Sequence, residues 1–365
     1  MEPSMLYLLT LFIITGQNVV HSEIMIAIAE PGRADIRTAP LSNVSLATYI
    51  EIDDAVTSIE FDNVDGRFYL GTGINIFSTG INGKEKTEHK LEVTSMSIDN
   101  QYGLLFYTSN NNIGVMSLYE HFHKIIINDS DIKVGEIAVD TDNKHIYWIN
   151  KADNAIERNV YNGSSREIVV ETKAKGLVID TKEDILYYGM DGMLKSVNLN
   201  GKDEKIYYNN TDGQTISSLQ LYDGIMYMIL TDGTNSTLMS YDIKANVSTV
   251  LVQETAQIFS DVVVYNTVLQ DLVDNECTVN YGDCNYFCLP LPNGKTCITP
   301  DGQVDPIDIE IVTLKPDPTI TRKPEIPPTE KPQTQNSING CVRQTSEKLS
   351  VIFISISIYA LASIL

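Results

Sequence analysis

His121 and His123 stand two residues apart, the spacing that puts two side chains on one face of a strand and would let both reach one metal ion. A solvated loop or outer strand accommodates the same pair without any metal. His89 and His145 complete the histidines beyond the first 22 residues. Glu60, Glu136 and Asp261 are acids set inside apolar runs, the residue types that hold a hard cation when several converge. The chain has no G-x-S-x-G, no H-E-x-x-H and no phosphate-binding glycine loop. No catalytic residue, metal ligand or cofactor is therefore assigned, and the chain reads as a non-enzyme. Cys277, Cys284, Cys288 and Cys297 lie close together, whereas Cys341 stands alone. Four clustered cysteines behind a secretion signal imply two disulfides, for which sequence alone allows three pairings.

The elements that must carry these residues repeat. Aromatic tetrads begin at Tyr69, Phe106, Tyr147 (followed by Trp148), Tyr187 and Tyr227, with first residues 37, 41, 40 and 40 positions apart. A period of about 40 residues built from short strands is the mark of a β-propeller, one four-stranded blade per repeat. A second element precedes each tetrad: Ser58–Asp62, Ser95–Asp99, Glu136–Asp140 and Gly176–Asp180, with degenerate copies at Ser218–Tyr222 and Ser260–Tyr265. Alternating apolar and small residues suit an innermost strand in a crowded layer. Asp62, Asp99, Asp140 and Asp180 close these strands, and the turn that follows leads into the tetrad as a hairpin. Asn82-Gly83, Asn162-Gly163 and Asn200-Gly201 mark a further hairpin between third and outer strands.

Six innermost strands against five tetrads require a sixth tetrad, and Met25–Glu30 supplies it, with Ile28 standing 41 residues before Tyr69. The chain then starts in mid-blade and ends with an orphan innermost strand at Asp261–Tyr265. Pairing the two ends closes the ring and removes free sheet edges. The expected fold is all-β: a six-bladed β-propeller closed by its terminal strands, then a small disulfide-bonded module and a disordered stalk.

The ends set the compartment. Met5–Ile14 is an apolar h-region, too short to span a bilayer, and Ser22 precedes the expected cleavage site, so residues 1–22 read as a signal peptide. Leu349–Leu365 is an apolar tail behind a polar spacer and the small residues Ser337, Asn339 and Gly340. That is the layout of a GPI-attachment signal over 339–365, with Asn339 or Gly340 as the lipidated residue. A short C-terminal membrane anchor is the alternative; it lacks the usual basic cytoplasmic flank. Attachment at either residue would also discard Cys341. Residues 303–338 interleave proline with threonine, which suits an extended, O-glycosylated stalk. Sequons at Asn43, Asn128, Asn162, Asn209, Asn235 and Asn246 fall in polar stretches between apolar strands. The 365 residues carry 26 basic and 48 acidic side chains, a formal net charge of −22. Such a balance argues against nucleic acid or anionic lipid as partner and favours basic ligands.

The repeats resemble the YWTD, or LDL-receptor class B, propeller, best at Ile146-Tyr147-Trp148-Ile149-Asn150 with Ala155-Ile156-Glu157-Arg158 and Asn162-Gly163. The resemblance spans roughly 23–302. No copy keeps the family's Asp in the fourth tetrad position, where it ties neighbouring blades; Asp62, Asp99, Asp140 and Asp180 are expected to carry part of that role. Residues 273–302, with Cys288-Leu289-Pro290 and Pro300-Asp301-Gly302, look like the EGF-like module that abuts the propeller (23–272) in this family. The family order implies Cys277–Cys288 and Cys284–Cys297, in a module truncated by Thr299 at the fifth cysteine position. The resemblance implies a cell-surface receptor or co-receptor for an extracellular protein, with the ligand on a propeller face to which Tyr119, Tyr161 and Tyr222 could contribute. Two alternatives stand beside it. One is capture of a small apolar ligand such as a pigment in the channel mouth. The other is a calcium-dependent lactonase or esterase, in which Glu60, Glu136 and Asp261 would have to converge.

Overall fold

The computed structural model describes residues 23–303; the signal-peptide, stalk and lipid-attachment readings lie outside these residues. Six four-stranded antiparallel sheets share one layout, and in five of them the strands follow chain order from the inside outward. Blade 1 comprises Ser58–Asp62, Arg67–Gly71, Ile76–Gly80 and Thr87–His89. Blade 2 comprises Ser95–Asp99, Leu104–Ser109, Asn112–Ser117 and His123–Asn128. Blades 3, 4 and 5 open with Val134–Asp140, Gly176–Asp180 and Thr215–Tyr222. Blade 6 joins the two ends of the propeller: Asp261–Asn266 is innermost and pairs antiparallel with Ile24–Glu30, followed by Asp35–Pro40 and Thr48–Glu51. The innermost strands touch in cyclic order, so the ring is closed.

Antiparallel pairing gives the ring two unlike faces. Innermost strands begin at one, the entry face, and run to the other, which carries the first hairpin of every blade and is here called the turn face. Among the described residues the sheets bury six apolar clusters, one between each pair of adjacent blades. The tetrad leaders Tyr69, Phe106, Tyr147, Tyr187 and Tyr227 are all buried in these clusters, each against the following blade. Trp148 is buried on the opposite side of its strand, in the cluster between blades 2 and 3.

The sixth tetrad is offset by one residue from its expected place. Tyr69, Phe106, Tyr147, Tyr187 and Tyr227 pair with Glu60, Ser97, Ala138, Val178 and Gln220. The matching pair in blade 6 is Ala27 with Val263, and Ile28 instead pairs with Val262. A slip of one residue changes the face of a strand. Ala27 needs no ring there, because the junction between blades 6 and 1 is filled from the innermost strands. Tyr265 packs with its centroid 4.5 Å from that of Phe61 and 5.1 Å from that of Phe68.

The blades are also laced by side chains at the entry face. The N–H of Ile59 donates to Asp261 Oδ2 (2.9 Å) and that of Met96 to Ser58 Oγ (3.2 Å). Ile137 N donates to Ser95 Oγ (3.3 Å), and Leu177 N to Glu136 Oε2 (3.2 Å). Each donor's partner belongs to the preceding blade. Ser218 Oγ closes the circuit by donating to Asp261 Oδ1 at 2.7 Å. At blade 4 the place is taken by Gly176, where a Cβ would meet Leu219 Cγ at 3.2 Å, so contact replaces the bond.

Asp261 also accepts from Ser58 Oγ (3.1 Å) and Val262 N (2.9 Å), and so anchors the closure. Asp261→Ala is expected to lower unfolding stability by about 2–4 kcal/mol, since it strands a buried N–H and breaks several bonds to a carboxylate. Equilibrium urea denaturation measures it; a loss under about 0.5 kcal/mol, the size of an ordinary surface substitution, would remove Asp261 from this role.

Candidate functional site

Among the concave regions lined by chemistry-bearing side chains, two stand out by position. The first is the channel, a cavity of about 210 Å³ bounded by all six innermost strands. Glu60, Glu136 and Asp261 converge on it, although they are separated by as many as 201 positions in the chain. Burial is the main cause that raises all three carboxyls above their usual range. The Asp261 charge adds to the rise at Glu60 and Glu136, while its own four hydrogen-bond donors oppose the rise at Asp261. Asn63, Ser97, Asn100, Thr141 and Gln220 add to a polar lining. Among the described residues no three His, Cys, Asp or Glu side chains are placed to hold a metal ion.

The second region is a cleft of about 400 Å³ on the turn face, between blade 2 and the disulfide-bonded segment that follows the propeller. Cys277 is bonded to Cys288 and Cys284 to Cys297, the pairing the family order implies. A hairpin of Phe287–Leu291 with Gly294–Ile298 places Cys288 opposite Cys297. Gly282, at φ +64, lies so close that a Cβ would sit 2.6 Å from Cys288 Sγ; only glycine fits. The segment is held to blade 2 by apolar and polar contacts. Phe287 and Leu289 are buried in the cluster between blades 2 and 3. Tyr102 Oη donates to Glu276 (2.9 Å), Asn275 Nδ2 to Gln101 O (2.8 Å), and Lys124 Nζ to Asp301 (2.8 Å).

The histidines do not assemble as a strand-face pair. His121 lies in the turn before the outer strand of blade 2 with φ +60, whereas His123 begins that strand and its carbonyl accepts from Asp301 N. His121 instead faces His89 of blade 1, ring centroids 4.6 Å apart. Burial, with the His121 ring and Arg67 nearby, lowers His89 to about 4, and His121 is lowered too, chiefly by burial. His145 Nδ1 bonds the carbonyl of Asn143 at 2.7 Å.

Of the four aspartates expected to tie blades, only Asp99 does. Tyr161 Oη of blade 3 donates to its Oδ2 at 2.8 Å. The others act within their own hairpins: Asp62 accepts from Val64 and Asp65 N–H, Asp140 from Asn143, and Asp180 from Lys182 and Glu183. An Asp at the end of a strand is within reach of the next turn's amides, and this local Asx geometry takes precedence. Tyr161 is consequently fully buried and does not contribute to a face; Tyr222 is half-buried against the cluster between blades 5 and 6, and Tyr119 is 40% exposed. The sequons divide between the faces. Asn43, Asn162 and Asn246 lie at turns on the turn face, Asn235 in an entry-face loop, and Asn128 and Asn209 end outer strands rather than lying in loops.

Two outcomes follow. Tyr161→Phe should lower stability by about 1–3 kcal/mol, because the Asp99 carboxylate stays buried with one donor fewer; an unchanged denaturation midpoint would show that this bond does not tie the blades. For the channel, a carboxyl raised on folding contributes stability below its unfolded pKa and loses it as pH rises through the folded value. Glu60→Gln should therefore raise Tm at pH 7, by roughly 2–4 °C for each kcal/mol gained. The gain should shrink as pH falls from the raised folded value toward the usual carboxylate range, and vanish below it. A gain that grows on acidification contradicts the assignment.

No protein-family model matches the chain. In three dimensions it is similar to a chain in the crystal structure of the nidogen/laminin complex, at 15% sequence identity and a TM-score of 0.58. The match covers 66% of this chain and 98% of that one, and at this identity it carries the fold alone.

Proposed function

We propose that this chain is an extracellular, protein-binding propeller of the YWTD type, displayed at the cell surface by a GPI anchor as a receptor, co-receptor or capture protein. The observation that carries the reading is the fold likeness to a chain solved within a complex of nidogen with laminin. A surface at net charge −22 adds a preference for a partner with basic character. The disulfide-bonded segment then acts as an EGF-like companion to the propeller, and the six sequons carry glycans in the secretory pathway. A small apolar ligand in the channel mouth is the weaker reading, because Glu60, Glu136 and Asp261 line that cavity. Carboxylates make a poor wall for a pigment. Lactone hydrolysis would use the same three acids, and it is the outcome the binding reading must survive.

Treatment of intact cells with a phosphatidylinositol-specific phospholipase should release the chain into the medium; retention on the membrane overturns the lipid anchor. The released chain, immobilised and exposed to extracellular fluid, should capture a protein saturably. Visible absorbance in the purified chain, or calcium-dependent hydrolysis of a lactone, would replace this reading with the pigment or enzyme alternative.

A further inference from the structure

The turn-face cleft is built like an anchor pocket. Tyr102, Leu104, Tyr119, Leu272, Phe287 and the Cys277–Cys288 disulfide bound it, giving walls that are mainly aromatic and aliphatic. Its surroundings are apolar as well. Five of the fourteen exposed large apolar side chains among the described residues fall between Val268 and Val279. Val273 is 68% exposed, and Tyr119 stands out from the facing blade. This stretch is fixed in place: Gln270 N donates to Asn63 O of blade 1 at 2.8 Å, and Leu269 lies over Gly66. Leu272 of this stretch lines the cleft, and exposed apolar side chains beside a pocket mark a contact surface.

The same rim is acidic. Asp271, Asp274 and Glu276 are exposed on the connecting segment, and Glu120 lines the cleft. Burial, with Asp62, Asp65 and Glu120 around it, pushes the Tyr119 phenol up to about 12. The cations nearby are already engaged within the chain. Lys144 Nζ lies 4.7 Å from the Tyr102 ring centroid and bonds Thr141 O; Lys295 Nζ bonds the carbonyls of Glu276 and Gly282; Arg67 bonds Glu85 O. No sequon lies on the turn face of blades 1 and 2.

We infer that this cleft is the ligand-docking site, and that it takes an apolar or aromatic side chain from a protein segment flanked by lysine or arginine. The inference rests on the protein-binding reading and gives it a place and a partner chemistry. The apolar anchor fills the pocket between Tyr119, Leu272 and Phe287. The basic flanks meet Asp271, Asp274 and Glu120. A second copy of this chain would bring its own acidic rim against the first, and charge disfavours it.

The test uses a fluorescein-labelled hexapeptide, Lys-Arg-Leu-Phe-Arg-Lys, titrated into the full chain and followed by anisotropy. Binding should be saturable, and absent for peptides with an Ala-Ala centre or aspartate flanks. Leu272→Asp and Tyr119→Ala should each weaken it about tenfold or more. Glu120→Gln combined with Asp271→Asn should weaken it about threefold and flatten its dependence on salt. Thermal melts that match the parent chain establish that each variant is folded. Equal binding of the control peptides, unchanged binding by Leu272→Asp, or self-association that Leu272→Asp abolishes overturns the inference. Capture of a protein partner that survives Leu272→Asp also removes this site while leaving the protein-binding reading standing. Failure of the parent chain to capture any protein removes that reading, and the peptide titration still decides the cleft.

Discussion

The innermost strand of every blade has a neighbour on one side only, and its amides at the entry face must find acceptors across the gap to the next sheet. Backbone N–H groups left unpaired in such a crowded place are costly. At four of the six junctions the ring meets this need with a side chain, just before the apolar residue that fills the junction, that accepts across the gap. Ser58, Ser95, Glu136 and Asp261 occupy that place, and Ser218 joins by donating to Asp261. The requirement explains why small and acidic residues interrupt runs that are otherwise apolar. It also accounts for Glu136 and Asp261 in the channel: where the acceptor is a carboxylate, its charge comes inward with it.

That lacing matters because no single core holds the molecule together. Apolar burial is divided into six thin layers, each two sheets wide, and a layer stabilises only its own junction. Closure adds the sixth layer by bringing Asp261–Asn266 beside Ile24–Glu30 across most of the chain. Asp261 sits at this seam and receives bonds from blades 1, 5 and 6 together. The residue with the greatest number of linking bonds thus lies where chain connectivity is weakest. Glu30, Arg37 and Glu254 add an ion-pair network between blades 5 and 6, with Arg37 at 2.9 Å from each carboxylate.

Much of the architecture was legible because it is written in local periods. Alternation marks strands, Asn-Gly marks hairpins, and the repeat of about 40 residues counts blades. What failed to read locally depended on partners far away. Ile28 looked like the sixth tetrad leader because it is apolar and correctly spaced; pairing across to Val263 selects Ala27, and the ring it lacks comes from Tyr265. Tyr161 was a candidate for the ligand-bearing face, yet its hydroxyl donates to Asp99 of the preceding blade. The convergence of Glu60, Glu136 and Asp261 exists only once the ring has closed. Tyr102, Tyr119, Leu272 and Phe287 meet only after the disulfide-bonded segment folds back on blade 2, and no motif connects them.

The channel and the turn-face cleft offer a ligand opposite physical surroundings. The channel is narrow and lined by carboxyls whose ionisation is already opposed by burial, so it has little room to desolvate a further charged group. The turn-face cleft is the reverse: its acids stand at the rim in water, and its apolar surface lies within. Long-range attraction from an acidic surface can guide a basic segment toward the rim. Desolvation of an apolar side chain against fixed rings then supplies affinity without burying an unpaired charge. A bonded segment that packs Phe287 and Leu289 into the junction between blades 2 and 3 ties one wall of the cleft to the propeller. A wall held in this way has less ordering entropy to lose on binding, which gives the cleft, and not the channel, the physical character of a recognition site.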